Sequence, residues 1–423
     1  MHVIGLRCRE CGKEYPHELL NTCNKCFGPL EPVYNFDYIQ ENISKKNIEK
    51  GPSSIWRYRI LLPVEREEVI DLGGGYTPLH KCKNLAKELG LKELYIKDDT
   101  ANPTNSFKDR VVPVAVTKAL EFNMEAVGCA STGNLAASLA AHAAKANLDA
   151  FIFIPSGLEL GKIVQMLIFE PNVIAVRGTY DDANRLATEI ADIYNWAFVN
   201  INVRPYYVEG SKTSAYEIVE QLDWTTPDRI IIPMASGALF CSIARGLKEL
   251  EKLGLIEENH TMLTGTQPKG CSPIVDAWLE KRDYIIPVEK PNTIAKSLAI
   301  GDPADGYYAL ETIKETRGNA YAPTDKELVE AIKLLARTEG IFAEPGSATT
   351  IAALKALLES GGIERDERIV CYITGSGLKT TDSVVNETIK PYEIDPTVES
   401  FKEYLEKGWY HGKGKDKILF RVT

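Results

Sequence analysis

Four short stretches, each following an apolar run, carry side chains that could do chemistry together. The first, "NPTNSFKDR" (102–110), puts Lys108 in the first turn of a predicted helix, with Ser106 as N-cap and Asp109 completing a capping box. An ammonium there would meet the positive end of the helix dipole, which favours the neutral amine that Schiff-base chemistry requires. A solvated lysine at a helix start is the alternative interpretation.

The second stretch, "GCASTGNLAAS", predicts an anion site where a strand gives way to a helix. Hydroxyls, an amide and free backbone N–H groups at a helix N-terminus suit a substrate carboxylate. Ser, Thr, Asn and Gly are also common caps and turn formers, so a purely structural role is the alternative. The candidate residues are Ser131, Thr132, Gly133 and Asn134.

The third and fourth stretches end two later strands. In "DRIIIPMASGALF" the small residues let backbone N–H groups close on a phosphate, and the missing Gly-Lys-Ser/Thr argues against nucleotide hydrolysis. In "VCYITGSGLKTTD", Thr374 offers a neutral hydroxyl to a ring nitrogen. The candidate phosphate-binding residues of the third stretch are Ser236, Gly237, Ala238, Leu239 and Phe240.

Two cysteine pairs near the N-terminus predict a metal site of a different kind. Cys8-x-x-Cys11 and Cys23-x-x-Cys26 are separated by eleven residues, 12–22. Four thiolates at this spacing suit tetrahedral Zn²⁺ in a closed, structural site. Four buried free cysteines are the alternative, which is disfavoured because so short and polar a segment has no other core. The other five cysteines are scattered and are expected to be small core residues.

The bulk properties exclude several classes of protein. The 423 residues are 44% hydrophobic and 26% charged, as in ordinary globular proteins, and are too many for one small core. A net charge of −10 argues against nucleic-acid binding and favours small-molecule work. No apolar stretch approaches the roughly 20 residues of a membrane span, and the N-terminus shows no signal segment. An odd number of cysteines, nine, favours a reducing compartment, so we expect a cytoplasmic protein without a membrane partner.

The pattern around these stretches is α/β. Short apolar runs alternate with helical ones, which predicts parallel sheets covered on both faces, with ligands beyond the carboxyl ends of the strands. The predicted strands are "KELYIKDD", "EAVGCA", "DAFIFIP", "VIAVRG", "WAFVNI", "DRIIIPM", "TMLTGTQ" and "RIVCYIT". The predicted helices include "NLAASLAAHAAKAN", "YDDANRLATEIADIY" and "KELVEAIKLLARTEG". The expected segments are a zinc-ribbon-like 1–32, an arm at 33–75, a catalytic core at 76–390 with a smaller subdomain near 115–205, and a tail at 391–423.

Taken together, these stretches resemble the threonine synthases. The likeness runs from about residue 56 to 382 and rests on "PTNSFKDR", "ASTGN", "EGIFAEPGSA", "IAKSLAIGDPADG" and "TGSGLKT". That family uses pyridoxal phosphate on the tryptophan-synthase β-like fold, called fold type II, which implies two doubly wound parallel-sheet subdomains. At the second stretch, serine/threonine dehydratases have a motif like "SGNHA" and cysteine synthases have a "TSGNTG" type of loop. This chain has "ASTGN" there and differs from both.

The resemblance also implies roles for single residues. Lys108 would be the Schiff-base lysine, Asn134 would contact the ring hydroxyl of the cofactor, and Thr374 would lie near the pyridine nitrogen. The turn at 236–240 would surround the cofactor phosphate, although some relatives have Gly-Asn-x-Gly-Asn there. Glu344, in "FAEPGS", either lines the site or caps a turn.

The implied reaction converts O-phospho-L-homoserine and water into L-threonine and phosphate. The substrate phosphate is expected near Asn202, Arg204 and Lys212, because relatives place polar and basic side chains around a stretch like "EGSKT". Tyr206-Tyr207 stand where some relatives have an arginine, so Arg204 is expected to take that role, because the planar fork of an arginine suits a phosphate; a surface arginine is the alternative.

Two other interpretations stay open on the sequence. One is a dehydratase, or a related enzyme acting on another phosphorylated amino acid. The other is a zinc-ribbon interaction protein whose α/β body merely binds a ligand. This interpretation is disfavoured by the acidic charge balance and by the four turns that carry potentially reactive or ligand-binding residues. A second copy of the chain, in a homodimer, is the one protein partner considered.

Overall fold

The alternating apolar and helical runs fold into two parallel sheets. The computed structural model describes residues 2–158, 160–385 and 391–407. All eight predicted strand stretches contain strands, and the three quoted helical stretches are helices. The strands are β1 (Val3–Cys8), β2 (Glu14–Tyr15), β3 (Leu30–Tyr34), β4 (Leu79–Lys81), β5 (Glu93–Asp98), β6 (Ala126–Ala130), β7 (Asp149–Pro155), β8 (Asn172–Val176), β9 (Trp196–Phe198), β10 (Arg229–Pro233), β11 (Met262–Thr266), β12 (Ala320–Tyr321) and β13 (Arg368–Ile373).

The helices lie between these strands, as the βα alternation predicts. In chain order they are α1 (Phe36–Asn42), α2 (Lys45–Glu49), α3 (Lys83–Leu89), α4 (Lys108–Glu121), α5 (Asn134–Ala146), α6 (Leu160–Leu167), α7 (Tyr180–Ile193), α8 (Arg204–Tyr207), α9 (Thr213–Gln221), α10 (Ala238–Lys252), α11 (Pro273–Leu279), α12 (Gly306–Glu315), α13 (Asp325–Glu339), α14 (Pro345–Ser360) and α15 (Val398–Glu406). No helix in the described ranges is long and apolar enough to cross a membrane.

The larger sheet has six strands in the order β12-β11-β10-β13-β5-β4. Its strands run parallel except β4, which pairs antiparallel with β5 at one edge. The register is continuous across the middle, where Val370 lies opposite Ile230 on one side and Tyr95 on the other. The smaller sheet has four parallel strands in the order β8-β7-β6-β9. The prediction of an α/β protein with two parallel sheets is therefore confirmed.

The third sheet, β2-β1-β3, is antiparallel and belongs to the cysteine-rich N-terminus. The sequence indicates a segment without a core of its own, and the structure gives it a shared one. Leu6 and Leu30 are buried in the same apolar cluster as Val112 and Val116 of α4 and Leu139 of α5. The N-terminal sheet therefore packs as part of the smaller-sheet layer, although the segment boundaries drawn from the sequence stay predictions.

The chain divides into two compact units, Met1–Ser383 and Val384–Thr423. The first contains all three sheets. In the second, α15 begins after Thr397, whose hydroxyl accepts the Ser400 N–H at 3.1 Å as an N-cap. Part of the predicted tail, 408–423, lies outside the described residues.

A fully buried ion-pair network fixes the start of α4. The Arg110 guanidinium donates to Asp99, just after β5, at 2.7 Å and to Glu217 of α9 at 2.5 and 2.9 Å. Lys97 lies 2.6 Å from the same Glu217 carboxylate, and the Tyr372 hydroxyl of β13 donates to Asp99 at 2.6 Å. The side chains of the four charged residues are fully buried or nearly so. This network therefore ties together helix α4, strand β13 and helix α9.

The balance of charges in this network shows in Glu217. Burial by itself would raise the pKa of its carboxyl, but Arg110 and Lys97 outweigh burial and hold that pKa at about 2. Because the folded pKa lies below the unfolded one, the carboxylate stabilises the fold above about pH 4.5. That contribution is lost as the pH falls toward 2.

We predict that Glu217→Gln lowers the free energy of unfolding at pH 7 by about 3–5 kcal/mol, because it leaves Arg110 and Lys97 short of a buried counter-charge. Urea unfolding of both proteins between pH 7 and pH 2 measures this, and the gap should narrow below about pH 4.5. Glu330→Gln, an exposed change on α13, should stay within about 0.5 kcal/mol. A Glu217→Gln protein as stable as this control at pH 7 would contradict the assignment.

Candidate active site

Three of the four stretches with candidate site residues meet at one edge of the larger sheet. The Lys108 turn follows β5, the 236–240 turn follows β10, and Thr374 follows β13. These strands are adjacent and parallel, in the order β10-β13-β5, so their carboxyl ends open on the same side. Ligands of open α/β sheets bind at this edge.

The Lys108 turn is joined directly to the turn after β13. The Phe107 N–H donates to the Thr374 carbonyl at 2.8 Å, and the Ser376 N–H donates to the Asn105 carbonyl at 3.1 Å. A bridge between Ser106 and Gly375 continues the pairing. Lys108 is therefore held beside Thr374 by main-chain hydrogen bonds, which are independent of side-chain conformation.

The predicted capping box at this turn is wrong. Helix α4 begins at Lys108 with Phe107 as N-cap, and the buried Ser106 hydroxyl has no hydrogen-bond partner among the described residues. The Asp109 carboxylate instead accepts from the Thr104 N–H at 2.6 Å and the Thr104 hydroxyl at 2.8 Å. It also accepts a hydrogen bond from the Ser138 hydroxyl of α5 at 2.6 Å. Asp109 therefore ties the turn to α5 rather than capping α4.

The Lys108 amine is partly buried beside two aromatic rings. Its Nζ lies 3.1 Å from the Tyr207 hydroxyl of α8 and 4.4 Å from the centroid of the Phe107 ring. Sequence reasoning missed Tyr207 as a site residue. The available signal was its place in "RPYYVEG", where some relatives of the resembled family have an arginine.

The second stretch reaches the same site through Asn134. This residue begins α5, and its Nδ2 donates to the Glu344 carboxylate at 3.1 Å. Glu344 is 4% exposed, and burial raises the pKa of its carboxyl. Its N–H donates to the Gly375 carbonyl at 3.0 Å. A Cβ on Gly375 would come within 2.7 Å of the Glu344 carboxyl, so a larger residue there would displace that carboxyl. The Glu344 side chain thus contacts the candidate site residue Asn134, while the residue itself is the N-cap of α14 without a capping hydrogen bond from its side chain among the described residues.

Thr374 is part of a pair of neutral hydroxyls. Its Oγ1 lies 3.0 Å from the Ser347 Oγ of α14, and both groups are buried. The Ser347 Oγ also accepts the N–H groups of Thr374 and Gly375, each at 3.0 Å. Ser347 was not singled out from the sequence, although "EPGSA" contains it.

The 236–240 turn leads into a helix start with free donors. Gly237 has φ +94°, a conformation that favours glycine, and α10 begins at Ala238 without a side-chain cap among the described residues. The Ala238 N–H makes a long contact of 3.4 Å with the Ser236 hydroxyl. The next N–H groups, of Leu239 and Phe240, precede the first intrahelical bonds, so this turn suits an anion.

The predicted substrate residues are dispersed by the structure. The Asn202 side chain bonds the Phe198 N–H at 2.8 Å and the Trp196 carbonyl at 2.9 Å, closing the turn after β9. Lys212 is fully buried, 2.6 Å from Glu209 and 2.8 Å from Glu249. Both side chains are already engaged by protein groups, so these contacts give no support to their predicted role as substrate ligands, which stays a prediction.

The other expected substrate residues stay accessible. Arg204 begins α8, is ion-paired with Asp305, and keeps 27% of its side chain exposed. Ser131 and Thr132 are partly exposed at the end of β6, and the Ser131 hydroxyl accepts the Gly133 N–H at 3.3 Å.

The four N-terminal cysteines converge as their spacing predicts. Their sulfurs all lie within 4.8 Å of one another, with Cys8 and Cys23 buried and Cys11 and Cys26 exposed. The Cys8–Cys26 and Cys11–Cys23 sulfur distances are 3.5 and 3.6 Å. The remaining cysteines are buried and free, as expected for core residues.

Comparison with known proteins assigns this site to a class. The family described as "Pyridoxal-phosphate dependent enzyme" matches residues 70–375, nearly three quarters of the chain. The chain therefore belongs to the family of pyridoxal-phosphate-dependent enzymes, and pyridoxal phosphate is its cofactor. Solved structures agree in fold: threonine deaminase isoform 2 from Solanum lycopersicum aligns with a TM-score of 0.64 at 22% identity, covering 79% of this chain and 91% of that one.

Closer relatives narrow the class. The threonine synthase of Methanocaldococcus jannaschii is 44% identical over 404 residues, which is 95% of this chain and 99% of the relative. That of Methanosarcina acetivorans is 41% identical over 405 residues, with the same coverage. That of Mycobacterium bovis is 38% identical over 350 residues, which is 82% of this chain and 94% of the relative. Within its family the chain belongs to the threonine synthases, and the interpretation as a non-enzymatic interaction protein is set aside.

Proposed function

We propose that the chain converts O-phospho-L-homoserine and water into L-threonine and phosphate. The observation that carries this is identity of 41–44% with two threonine synthases along nearly the whole of both chains. The chemistry of the site supports it, because an amine, two neutral hydroxyls and an uncapped helix N-terminus lie at one edge of the larger sheet, and the partly buried Asn134 amide joins them through Glu344. These are the groups that a phosphorylated pyridine aldehyde needs.

Each of these groups has a proposed role toward the cofactor. Lys108 would carry it covalently through its amine, and the Asn134 amide would hold its ring hydroxyl. The N–H groups of the turn 236–240 would surround its phosphate, where the helix dipole adds a favourable field. Ser106 supports the fit, since its buried hydroxyl lacks a partner among the described residues two positions before the lysine.

The neutral pair at the end of β13 decides which reactions are favoured. The cofactor, when bound, supplies an electron sink for a carbanion at the carbon that bears the amino group. The Thr374 and Ser347 hydroxyls carry no charge, so they do not hold the ring nitrogen protonated as a carboxylate would. A weaker sink fits elimination and replacement better than transamination.

Lys108 then has a second task as the proton carrier. With its amine free, Lys108 would take the proton from Cα, and a proton at Cβ must also leave before phosphate departs from Cγ. Cγ gains a proton to become a methyl group, water adds its oxygen at Cβ, and Lys108 returns the proton to Cα. The Tyr207 hydroxyl, 3.1 Å from Nζ, would keep the amine oriented through both transfers.

Arg204 is the residue proposed for the substrate phosphate. Its partly exposed guanidinium has five N–H donors, and its ion pair with Asp305 leaves others for a ligand. Ser131 and Thr132 would hold the substrate carboxylate at the start of α5. We also propose a cytoplasmic location, in keeping with nine free cysteines in the described ranges.

The function is tested with Lys108→Ala. The variant should fold and retain cofactor noncovalently, but threonine formation from O-phospho-L-homoserine should fall by orders of magnitude because both proton transfers lose their carrier. Phosphate release and threonine are measured together in both proteins. Full activity in the variant would sink the assignment. Keto acid and ammonia from wild type, in place of threonine, would favour a dehydratase.

For the cysteines we propose one structural Zn²⁺ per chain. A Zn–S bond of about 2.3 Å in tetrahedral geometry places sulfurs about 3.8 Å apart, which is compatible with the observed distances. All four positions would be filled by thiolates, so such a site has no open position for chemistry.

Metal content tests this second proposal. Wild type should hold about one zinc per chain, and the double variant Cys8→Ser, Cys26→Ser should lose it because two of four ligands are gone. The matched double variant Cys82→Ser, Cys271→Ser changes cysteines outside the cluster and should keep its zinc. Zinc-free wild type, purified without chelators, would refute the site.

A further inference from the structure

The two residues between the first pair of cysteines, Arg9 and Glu10, contact the region where α12 begins. The Arg9 guanidinium lies 3.3 Å from the Asp305 carboxylate and 3.6 Å from the centroid of the Tyr308 ring. Glu10 accepts a hydrogen bond from the Tyr308 hydroxyl. The knuckle formed by Cys8 and Cys11 is therefore anchored where α12 begins.

Asp305 connects this contact with the turn after β10. Its N–H donates to the Ser236 carbonyl at 2.8 Å. Its own carbonyl lies 2.9 Å from the position of a Cβ on Gly237, which is tighter than any side chain tolerates. A displacement of Asp305 would therefore move Ser236 and Gly237, the residues that start the anion-binding turn.

The charge of Asp305 is balanced from two sides. The carboxylate is 7% exposed and pairs with Arg9 and with Arg204 of α8. A poorly hydrated carboxylate that loses one of two counter-ions keeps a larger uncompensated negative charge. Because the main chain of Asp305 contacts Ser236 and Gly237, a change in the pairing of its carboxylate would reach the turn through the backbone.

We propose that Arg9 and Asp305 are positioning residues for the cofactor-phosphate turn, and that the metal in the cysteine cluster acts on cofactor binding through them. The inference rests on the proposed function for both the 236–240 turn and the Zn²⁺ site. The metal fixes Cys8 and Cys11 and with them the backbone of Arg9. Loss of metal releases Arg9 from Asp305 and weakens the hold on pyridoxal phosphate, although no cysteine of the cluster belongs to that turn.

A second set of contacts ties the same N-terminal segment to α8 and α4. The Tyr206 hydroxyl donates to the Glu18 carbonyl at 2.6 Å, and Lys118 lies 2.7 Å from the His17 ring. These contacts do not involve Arg9 or Glu10, the two residues between Cys8 and Cys11. They keep the segment docked when Arg9 alone is changed, so an Arg9 variant isolates the path through Asp305.

The test compares two arginines of one strand end. Arg9→Gln removes one of the two counter-ions of Asp305, whereas Arg7→Gln removes a half-exposed arginine that pairs with Glu31 at 3.5 Å. Equilibrium dialysis of the full-length holoenzyme against graded pyridoxal phosphate should show about tenfold weaker binding in Arg9→Gln. Arg7→Gln should bind as wild type does, Arg9→Lys should restore part of the loss, and all should keep their zinc.

Metal removal closes a thermodynamic cycle with the same readout. Chelation of zinc should weaken cofactor binding in wild type, and by much less in Arg9→Gln, because the path is already broken there. Hydrogen exchange across 234–241 should quicken in Arg9→Gln.

The coupling would be overturned if Arg9→Gln bound pyridoxal phosphate as tightly as wild type does, or if chelation weakened binding equally in both proteins. In either case the proposed function would stand as long as wild type binds the cofactor and forms threonine. A wild type that binds no pyridoxal phosphate would refute the function and the coupling together.

Discussion

The site depends on one buried arginine. Arg110 lies two residues after the amine that the chemistry needs, and its guanidinium is enclosed by Asp99 and Glu217 without contact with solvent. A charge in that position is tolerated only when its partners are fixed, because an unpaired ion in the interior costs several kcal/mol. The helix that begins at Lys108 therefore cannot shift along β5 without breaking the pairs. The reactive lysine owes its place to a neighbour that takes no part in the reaction.

Around that fixed point, burial favours neutral groups over charged ones. Burial raises the pKa of the Glu344 carboxyl, and it lowers the pKa of Lys379, whose Nζ donates to the Thr104 carbonyl at 2.7 Å. The Thr374–Ser347 pair is neutral by its chemistry. The fixed donors for an anion are main-chain N–H groups at helix starts, which need no ionised side chain. Such an environment suits a cofactor that itself brings the negative phosphate and the electron sink.

The strands and the turns with candidate site residues could be predicted because local sequence patterns mark them. Apolar runs of five to seven residues such as β7 and β10 mark buried parallel strands, and the two Cys-x-x-Cys pairs mark a cluster by spacing alone. What the sequence did not show depends on partners far along the chain. Lys212 was expected to bind an anion, but in the fold it is paired with Glu249. Asp109 was expected to cap its own helix, but it accepts a hydrogen bond from Ser138 of α5. The same reason explains why sequence reasoning missed Tyr207, Ser347 and the burial of Glu344. The partners of each residue lie on another helix or turn, distant in sequence.

The central claim is that the chain is built around the amine of Lys108, and one measurement addresses it most directly. Borohydride reduction of the holoenzyme fixes the cofactor to the amine that carries it, and peptide mapping by mass spectrometry then locates the label. The account predicts that the label lies on the peptide containing "NSFKDR", at Lys108. A label on another lysine, such as Lys379, or no label in protein that has bound the cofactor, would contradict it.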